Sequence, residues 1–122
     1  MRNTYTVKGY QDLLVWQKSM DLVESVYRLV QLLPNEEIYA LSGQMRRAAI
    51  SIPSNIAEGH SRQSKKEYSH FLYIAKGSIS ELQTQLLVAE RIGYLKKEQI
   101  DSALNLSNEI GRMLSGLIRT LS

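Results

Sequence analysis

The sequence predicts an all-α protein, an antiparallel up-down-up-down four-helix bundle. Apolar residues recur at spacings of three and four over four long stretches, which is the period of an amphipathic helix. Only two prolines and seven glycines interrupt the 122 residues, and no stretch alternates as a strand does. The connections are a few residues long, so consecutive helices should run antiparallel. The length fits one domain over residues 1–122.

The first helix is predicted from about Gln11 to Leu33, where Pro34 ends it. Two apolar stripes run along it. The stripe interpreted as the core seam comprises Leu13, Trp16, Met20, Val23, Tyr27 and Val30. The neighbouring stripe comprises Val15, Leu22, Val26, Leu29 and Leu33. Together they are wider than one bundle core requires, which predicts a homo-oligomer.

The second helix is predicted from about Glu36 to His60, with a kink near Pro53 and Gly59 as its stop. Its core stripe comprises Leu41, Met45, Ala48, Ile52 and Ile56.

The third helix begins after Ser64, since Glu67 three residues later completes a capping box, and Gly93 ends it. The fourth helix is predicted from about Lys96 to Leu121. Three glycines, Gly77, Gly111 and Gly116, fall inside these last two helices. Each costs roughly 1 kcal/mol relative to alanine. Close packing within the bundle or contact between subunits would offset that cost.

Composition excludes several classes of protein. Without cysteine there is no disulfide scaffold, thiolate metal site or cysteine nucleophile. No apolar stretch approaches the roughly 20 residues of a membrane span, and the first ten residues lack the apolar core of a secretory signal. A soluble cytoplasmic protein with no membrane contact is expected.

No motif indicates catalysis. Glu67 and His70 form one Glu-x-x-His pair, whereas a di-iron bundle needs two, and His60 has no matching partner. Neither a nucleophile elbow nor a glycine-rich phosphate loop is present. We expect no enzyme, no catalytic residue, no bound metal and no cofactor.

Basic residues fall in short groups although the net charge is only +3. Such groups are often simply solvated surface. The residues that are candidates to bind nucleic acid, through contacts with its phosphates, are Arg46, Arg47, Arg62, Lys65 and Lys66. No paired aromatic residues of an RNA-recognition surface accompany them in the sequence, so base reading is not expected.

A polar stripe also borders the predicted core. Its members are Ser51, Asn55 and Glu58 on the second helix and Ser78 and Glu81 on the third. A structural polar network is favoured over a ligand site, because buried polar groups are usually satisfied internally. Either groups freed by Pro53 bond to Asn55 and Glu58, or Glu58 or Glu81 pairs with Arg46 or Arg47 within or between subunits.

Three segments carry a resemblance to a known family. They are QMRRAAISIPSNIAEG at 44–59, LLVWQK at 13–18 and FLYIAKGSISEL at 71–82. They resemble a bacterial four-helix-bundle family whose founding members are encoded by intervening sequences of large-subunit ribosomal RNA genes. The resemblance implies a ring, commonly a pentamer, and no assigned enzymatic activity. A related group is the accessory variability determinant of diversity-generating retroelements, a pentameric bundle that binds a reverse transcriptase and RNA through basic surface.

Three functions follow as hypotheses. The first is a non-catalytic homo-oligomeric scaffold that binds RNA, or a reverse transcriptase or other ribonucleoprotein, through basic patches. The second is a protein-interaction module without nucleic-acid contact. The third is an enzyme or ligand-binding bundle that uses Asn55, Glu58, Ser78 and Glu81.

Overall fold

Four α-helices make up most of the computed structural model, which describes residues 9–122. They are α1 (Leu14–Val30), α2 (Leu41–His60), α3 (Lys65–Arg91) and α4 (Lys97–Thr120). Short 3-10 helices at Tyr10–Asp12 and Asn35–Glu37 precede α1 and α2, and no strand occurs in this range. The all-α prediction is confirmed. Residues 1–8, on which the expectation of no secretory signal partly rests, lie outside the described residues.

The four helices pack in a closed square. Each helix has Cα atoms within 8 Å of the next one along the chain, and α1 approaches α4 in the same way. Within residues 9–122 the diagonal pairs, α1 with α3 and α2 with α4, do not come that close. This arrangement confirms a four-helix bundle. The up-down order of all four helices stays a prediction.

The core face of α1 is the second of the two apolar stripes, so the predicted seam is wrong. Val15, Leu22 and Val26 are buried, whereas Met20 is 44% exposed and Tyr27 39% exposed. Ser19 completes the buried face, because its hydroxyl donates to the carbonyl oxygen of Val15 at 2.7 Å. Of the predicted seam, only Val30 is buried, while Leu13, Trp16 and Val23 are half-buried at the edge of the core.

The boundaries between α1 and α2 differ from the prediction by several residues. After Val30 the chain turns through bonds from the amides of Leu32 and Leu33 to carbonyls three residues earlier. The helix α2 begins at Leu41 because the Glu37 carboxylate accepts a hydrogen bond from the Leu41 amide at 3.2 Å. The other oxygen of Glu37 accepts from the Tyr94 hydroxyl at 2.8 Å, which ties the α1–α2 connection to the α3–α4 connection. This hydrogen bond raises the pKa of Tyr94.

The two ends of α3 follow the sequence signals. The Ser64 hydroxyl accepts from the Glu67 amide at 3.1 Å, so the predicted cap is confirmed. At the other end Gly93 has a φ of 90°, a left-handed conformation that favours glycine and ends the helix. The helix α2, for its part, runs unbroken through Pro53.

Close helix packing depends on a glycine other than the three predicted inside helices. A β-carbon at Gly59 would lie 2.8 Å from the Phe71 Cβ and 3.1 Å from the Tyr68 carbonyl oxygen. At Gly77 and Gly111 an added β-carbon would meet nothing within 4 Å. Among the described residues, therefore, packing within the bundle does not explain those two glycines.

The difference in packing between Gly59 and Gly111 predicts that replacement by alanine has opposite effects on stability at the two positions. Gly59→Ala should lower the free energy of unfolding by about 1–3 kcal/mol, because α2 and α3 must move apart. Gly111→Ala, the matched control, should raise it by up to about 1 kcal/mol, because alanine favours the helix and meets open space. Urea denaturation followed by circular dichroism measures both. A Gly59→Ala protein as stable as the Gly111→Ala protein would contradict this packing.

Candidate nucleic-acid interface

The five basic candidates lie at two separate places. Arg46 and Arg47 are in the second turn of α2, whereas Arg62, Lys65 and Lys66 surround its end and the start of α3. Fifteen residues of mostly helical chain put Arg47 and Arg62 about 22 Å apart along the bundle. The structure therefore does not bring the five candidates together into one patch.

The Arg46 and Arg47 side chains have contacts near the start of their own helix. The Arg46 guanidinium donates to the carbonyl oxygen of Ile38 at 3.2 Å, and Arg46 is half-buried. The Arg47 guanidinium folds back over α2, where a β-carbon at Gly43 would lie 3.2 Å from it. Arg46 thus binds the segment that leads into α2, which is a structural contact.

The second group forms a patch that we call the turn patch, consisting of Arg62, Lys65, Lys66, His70 and Phe71. The three cations are exposed, and in residues 9–122 neither lysine has a carboxylate within 4 Å. A surface cavity of about 420 Å³ is lined by all of these residues except Lys65, together with Glu67. The turn patch is thus a concave cationic surface at the α2–α3 end of the bundle.

Arg62 is held in place from two sides. Its guanidinium lies 4.8 Å above the centre of the Phe71 ring, within range of a cation–π interaction. It also forms an ion pair with Glu58, with Nη2 and Oε2 2.7 Å apart. Both side chains of the ion pair are exposed to solvent, so it contributes at most about 1 kcal/mol. Together these contacts orient the guanidinium beside the cavity.

Aromatic rings lie beside the basic residues in the structure, although the sequence shows no aromatic pair next to them. The Phe71 and His70 rings meet edge to face with centres 5.5 Å apart, and His60 meets Tyr68 in the same way at 5.7 Å. Burial raises the pKa of Tyr68. Phe71 is nine residues from Arg62 in the sequence, and only the α2–α3 hairpin brings the two together. No short motif could have shown that contact.

Three of the five predicted network residues share hydrogen bonds. The Ser51 and Ser78 hydroxyl oxygens are 2.8 Å apart, which joins α2 to α3. The Asn55 amide nitrogen donates to the Ser51 carbonyl at 2.8 Å and to its hydroxyl at 2.9 Å. Proline at position 53 frees the carbonyl of Ala49, four residues earlier, so Asn55 does not bond to the group that Pro53 frees.

The two carboxylates of the predicted network lie elsewhere. Glu58 pairs with Arg62 on the surface, and Glu81 is exposed, with the Gln85 amide nitrogen 3.5 Å from its carboxylate. In the described part of the chain neither forms an ion pair with Arg46 or Arg47. The hydrogen-bonded group is therefore the neutral cluster Ser51, Asn55 and Ser78, which offers no acid or base.

Metal ligands are not clustered in residues 9–122, where no group of three or more histidine or acidic side chains could hold an ion. No helix in that range is both long enough and apolar enough to cross a membrane.

Residues 11–116 match the model of the 23S rRNA-intervening sequence protein family. The chain belongs to this family. The match spans the whole bundle except the last few residues of α4, so the fold described here is the family's domain.

A solved relative of this intervening-sequence protein is a crystal structure from Bacteroides thetaiotaomicron, described as a protein of unknown function from the S23 ribosomal protein family. It is 31% identical, and the alignment covers 86% of this chain and 98% of that chain with a TM-score of 0.80. A search of curated proteins finds no match.

The contact between Ser51 and Ser78 predicts an energetic coupling. Ser51→Ala and Ser78→Ala should each lower the free energy of unfolding by about 1 kcal/mol. Ser51→Ala leaves the Ser78 hydroxyl without this partner, and Ser78→Ala removes one of the two side-chain partners of the Ser51 hydroxyl. The double variant should lose less than the sum, because no orphaned hydroxyl remains. Denaturation of all three variants measures the coupling. Ser54→Ala, at an exposed position of the same helix, is the control and should change stability by less than about 0.5 kcal/mol. Strictly additive losses would show that the two hydroxyls do not interact.

Proposed function

We propose that this intervening-sequence protein is a non-catalytic, homo-oligomeric scaffold that binds RNA through the turn patch. The observation that carries the proposal is the placement of two exposed cations, Arg62 and Lys66, and an aromatic ring around one surface cavity, with the exposed Lys65 next to them in the chain. Family membership supports the choice of ligand only indirectly, because the family description refers to ribosomal RNA and the solved relative has no known function.

The chemistry of the turn patch fits the sugar–phosphate backbone. Lys65 and Lys66 supply mobile ammonium groups, and Arg62 supplies a planar guanidinium that binds phosphate through two hydrogen bonds. These contacts add affinity without reading sequence. The exposed His70 offers ring surface beside them, on which an unpaired base can stack, while the Phe71 ring supports the Arg62 guanidinium. Arg46 and Arg47 are secondary in this proposal, because Arg46 already donates to the backbone.

Association of copies is supported by apolar side chains on the outside of the bundle. On α3, Leu87 is 49% exposed, and Ile74 and Val88 are also exposed. On α1, Met20 and Tyr27 point away from the core. A single copy leaves these side chains in water, whereas a ring would bury them. Several turn patches on one ring would then bind RNA with avidity.

The apolar surface also favours a second candidate, a protein-interaction module without nucleic-acid contact. Tyr39, 93% exposed in the segment before α2, is the side chain most available for such a partner. Recovery of a protein partner after nuclease treatment would favour this candidate over RNA binding.

Neutralising the turn patch tests RNA binding. The variant K65Q/K66Q should bind a transcribed fragment of large-subunit ribosomal RNA more weakly than the unmodified protein in a filter-binding titration. It loses two phosphate contacts, so the plot of log affinity against log salt should become shallower by about 1.4.

The control for this experiment is K96Q/K97Q, which removes the same charge from the α3–α4 end of the chain. It should keep most of the affinity and the salt dependence, because the contacts are local. Equal losses in both variants would show only a general attraction to positive charge. No binding by the unmodified protein at low salt would refute the proposed function.

The oligomeric state is tested by light scattering coupled to gel filtration. One chain has a mass of 13.9 kDa, so a pentameric ring would measure about 70 kDa. Ile74→Ser with Val88→Ser, both on the outer side of α3, should reduce the mass if that side is the contact. A 13.9 kDa particle at micromolar concentration would refute the oligomer.

A further inference from the structure

A groove between α3 and α4 has the charge of an anion-binding site, and no sequence motif pointed to it. It encloses about 460 Å³. Lys76 lies on its α3 side and Arg112 and Arg119 on its α4 side, and its lining includes no aspartate or glutamate. Within residues 9–122 none of the three cations has a carboxylate within 4 Å.

The remaining lining is neutral and small. The Gln83 amide nitrogen donates to the Ser107 hydroxyl at 2.8 Å and to the side-chain Oδ1 of Asn108 at 2.9 Å, which closes one end of the groove. Gly111 lies in the lining beside open space, since a β-carbon there would meet nothing within 4 Å. A ligand can therefore approach the α4 backbone closely at that position.

The dimensions of the groove favour an extended ligand. From Ser107 to Arg119 it follows α4 for twelve residues, about 18 Å. At roughly 3.4 Å per nucleotide along a strand, this length accommodates about five nucleotides. Arg112 and Arg119 are seven residues apart, so they lie on one side of α4 and about 10 Å from each other along the helix. At roughly 3.4 Å per nucleotide that separation corresponds to phosphates about three nucleotides apart, which favours one strand over one small anion.

The groove also leads towards the turn patch. The contact of Gln83 with Ser107 lies near the middle of α3, and the groove continues from there to Lys76 and the last turn of α4. Lys76 is ten residues from Lys66 on the same helix, about 15 Å along its axis. The exposed Tyr73 lies between them, and the Lys76 ammonium is 5.8 Å from its ring centre.

We infer that the α3–α4 groove binds the sugar–phosphate backbone of a single RNA strand, which continues over Tyr73 to the turn patch. The inference rests on the proposed function and adds to it a second surface that contacts RNA. A helix of another copy is the competing occupant. The apolar side chains suited to that contact lie outside the groove, on α1 and on the outer side of α3.

Two variants of the protein test the groove by different means. R112Q/R119Q removes its α4 charges, and Gly111→Leu fills it at a position where the fold has room. Fluorescence anisotropy with a labelled fifteen-nucleotide polyuridine RNA measures affinity. Each variant should bind at least fivefold more weakly, and R112Q/R119Q should also lower the salt slope by about 1.4. Thermal unfolding checks that both variants remain folded, and leucine at position 111 should not lower the melting temperature.

The matched control is R28Q/R91Q, which removes two exposed arginines outside the groove and should keep the affinity within twofold. The inference is overturned if both groove variants bind like the unmodified protein while K65Q/K66Q does not, a pattern that leaves the proposed function intact. It is also overturned if the groove variants change the oligomeric mass, because a second copy then occupies the groove. Failure of every protein, the unmodified one included, to bind RNA refutes the proposed function itself.

Discussion

The close approach of α2 and α3 at Gly59 is the constraint on which the candidate interface depends. The absence of a side chain there lets the Phe71 and Tyr68 positions of α3 pack directly against the end of α2. That contact sets the hairpin so that Arg62, just beyond α2, lies over the Phe71 ring. The same pairing aligns Ser51 with Ser78 two turns further along, so one glycine determines both the turn patch and the neutral cluster.

The periodicity of apolar residues predicted where the helices lie in the sequence, but it did not predict which face of α1 is buried. The four helices and the Ser64 cap follow from local spacing and local hydrogen bonds, which the sequence displays directly. The core face of α1 does not, because two neighbouring apolar stripes have the same period. Ser19 belongs to the buried face since its hydroxyl bonds to its own helix, yet a pattern of apolar residues passes over a serine. Which stripe is buried depends on the three partner helices.

The candidate sites show the same division between local and non-local information. Lys65 and Lys66 are adjacent in the chain, and their grouping is visible in the sequence. The contact of Arg62 with Phe71, and the shared groove of Lys76 with Arg112 and Arg119, join residues that are distant in sequence. The sequence pattern of exposed, charged side chains does not indicate which of them come together in the folded chain. Arg46 and Arg62 likewise looked equivalent as basic residues, although only Arg46 is committed to a backbone carbonyl.

A net charge of +3 does not describe the local charge, because four acidic side chains pair with nearby cations whereas five cations of the turn patch and the groove have no carboxylate of the described residues within 4 Å. Glu24 and Asp101 each bind a cation one turn away on their own helix, Glu58 binds a cation just beyond the end of α2, and Glu109 binds Lys18 across the α1–α4 contact. The cations left without a carboxylate include Lys65 and Lys66 at the turn patch and Lys76, Arg112 and Arg119 in the groove. At physiological salt, charges interact over about 8 Å, so a polyanion responds to these local groups rather than to the total. The distribution of ion pairs, more than the number of basic residues, therefore makes one side of this small bundle suited to a phosphate backbone.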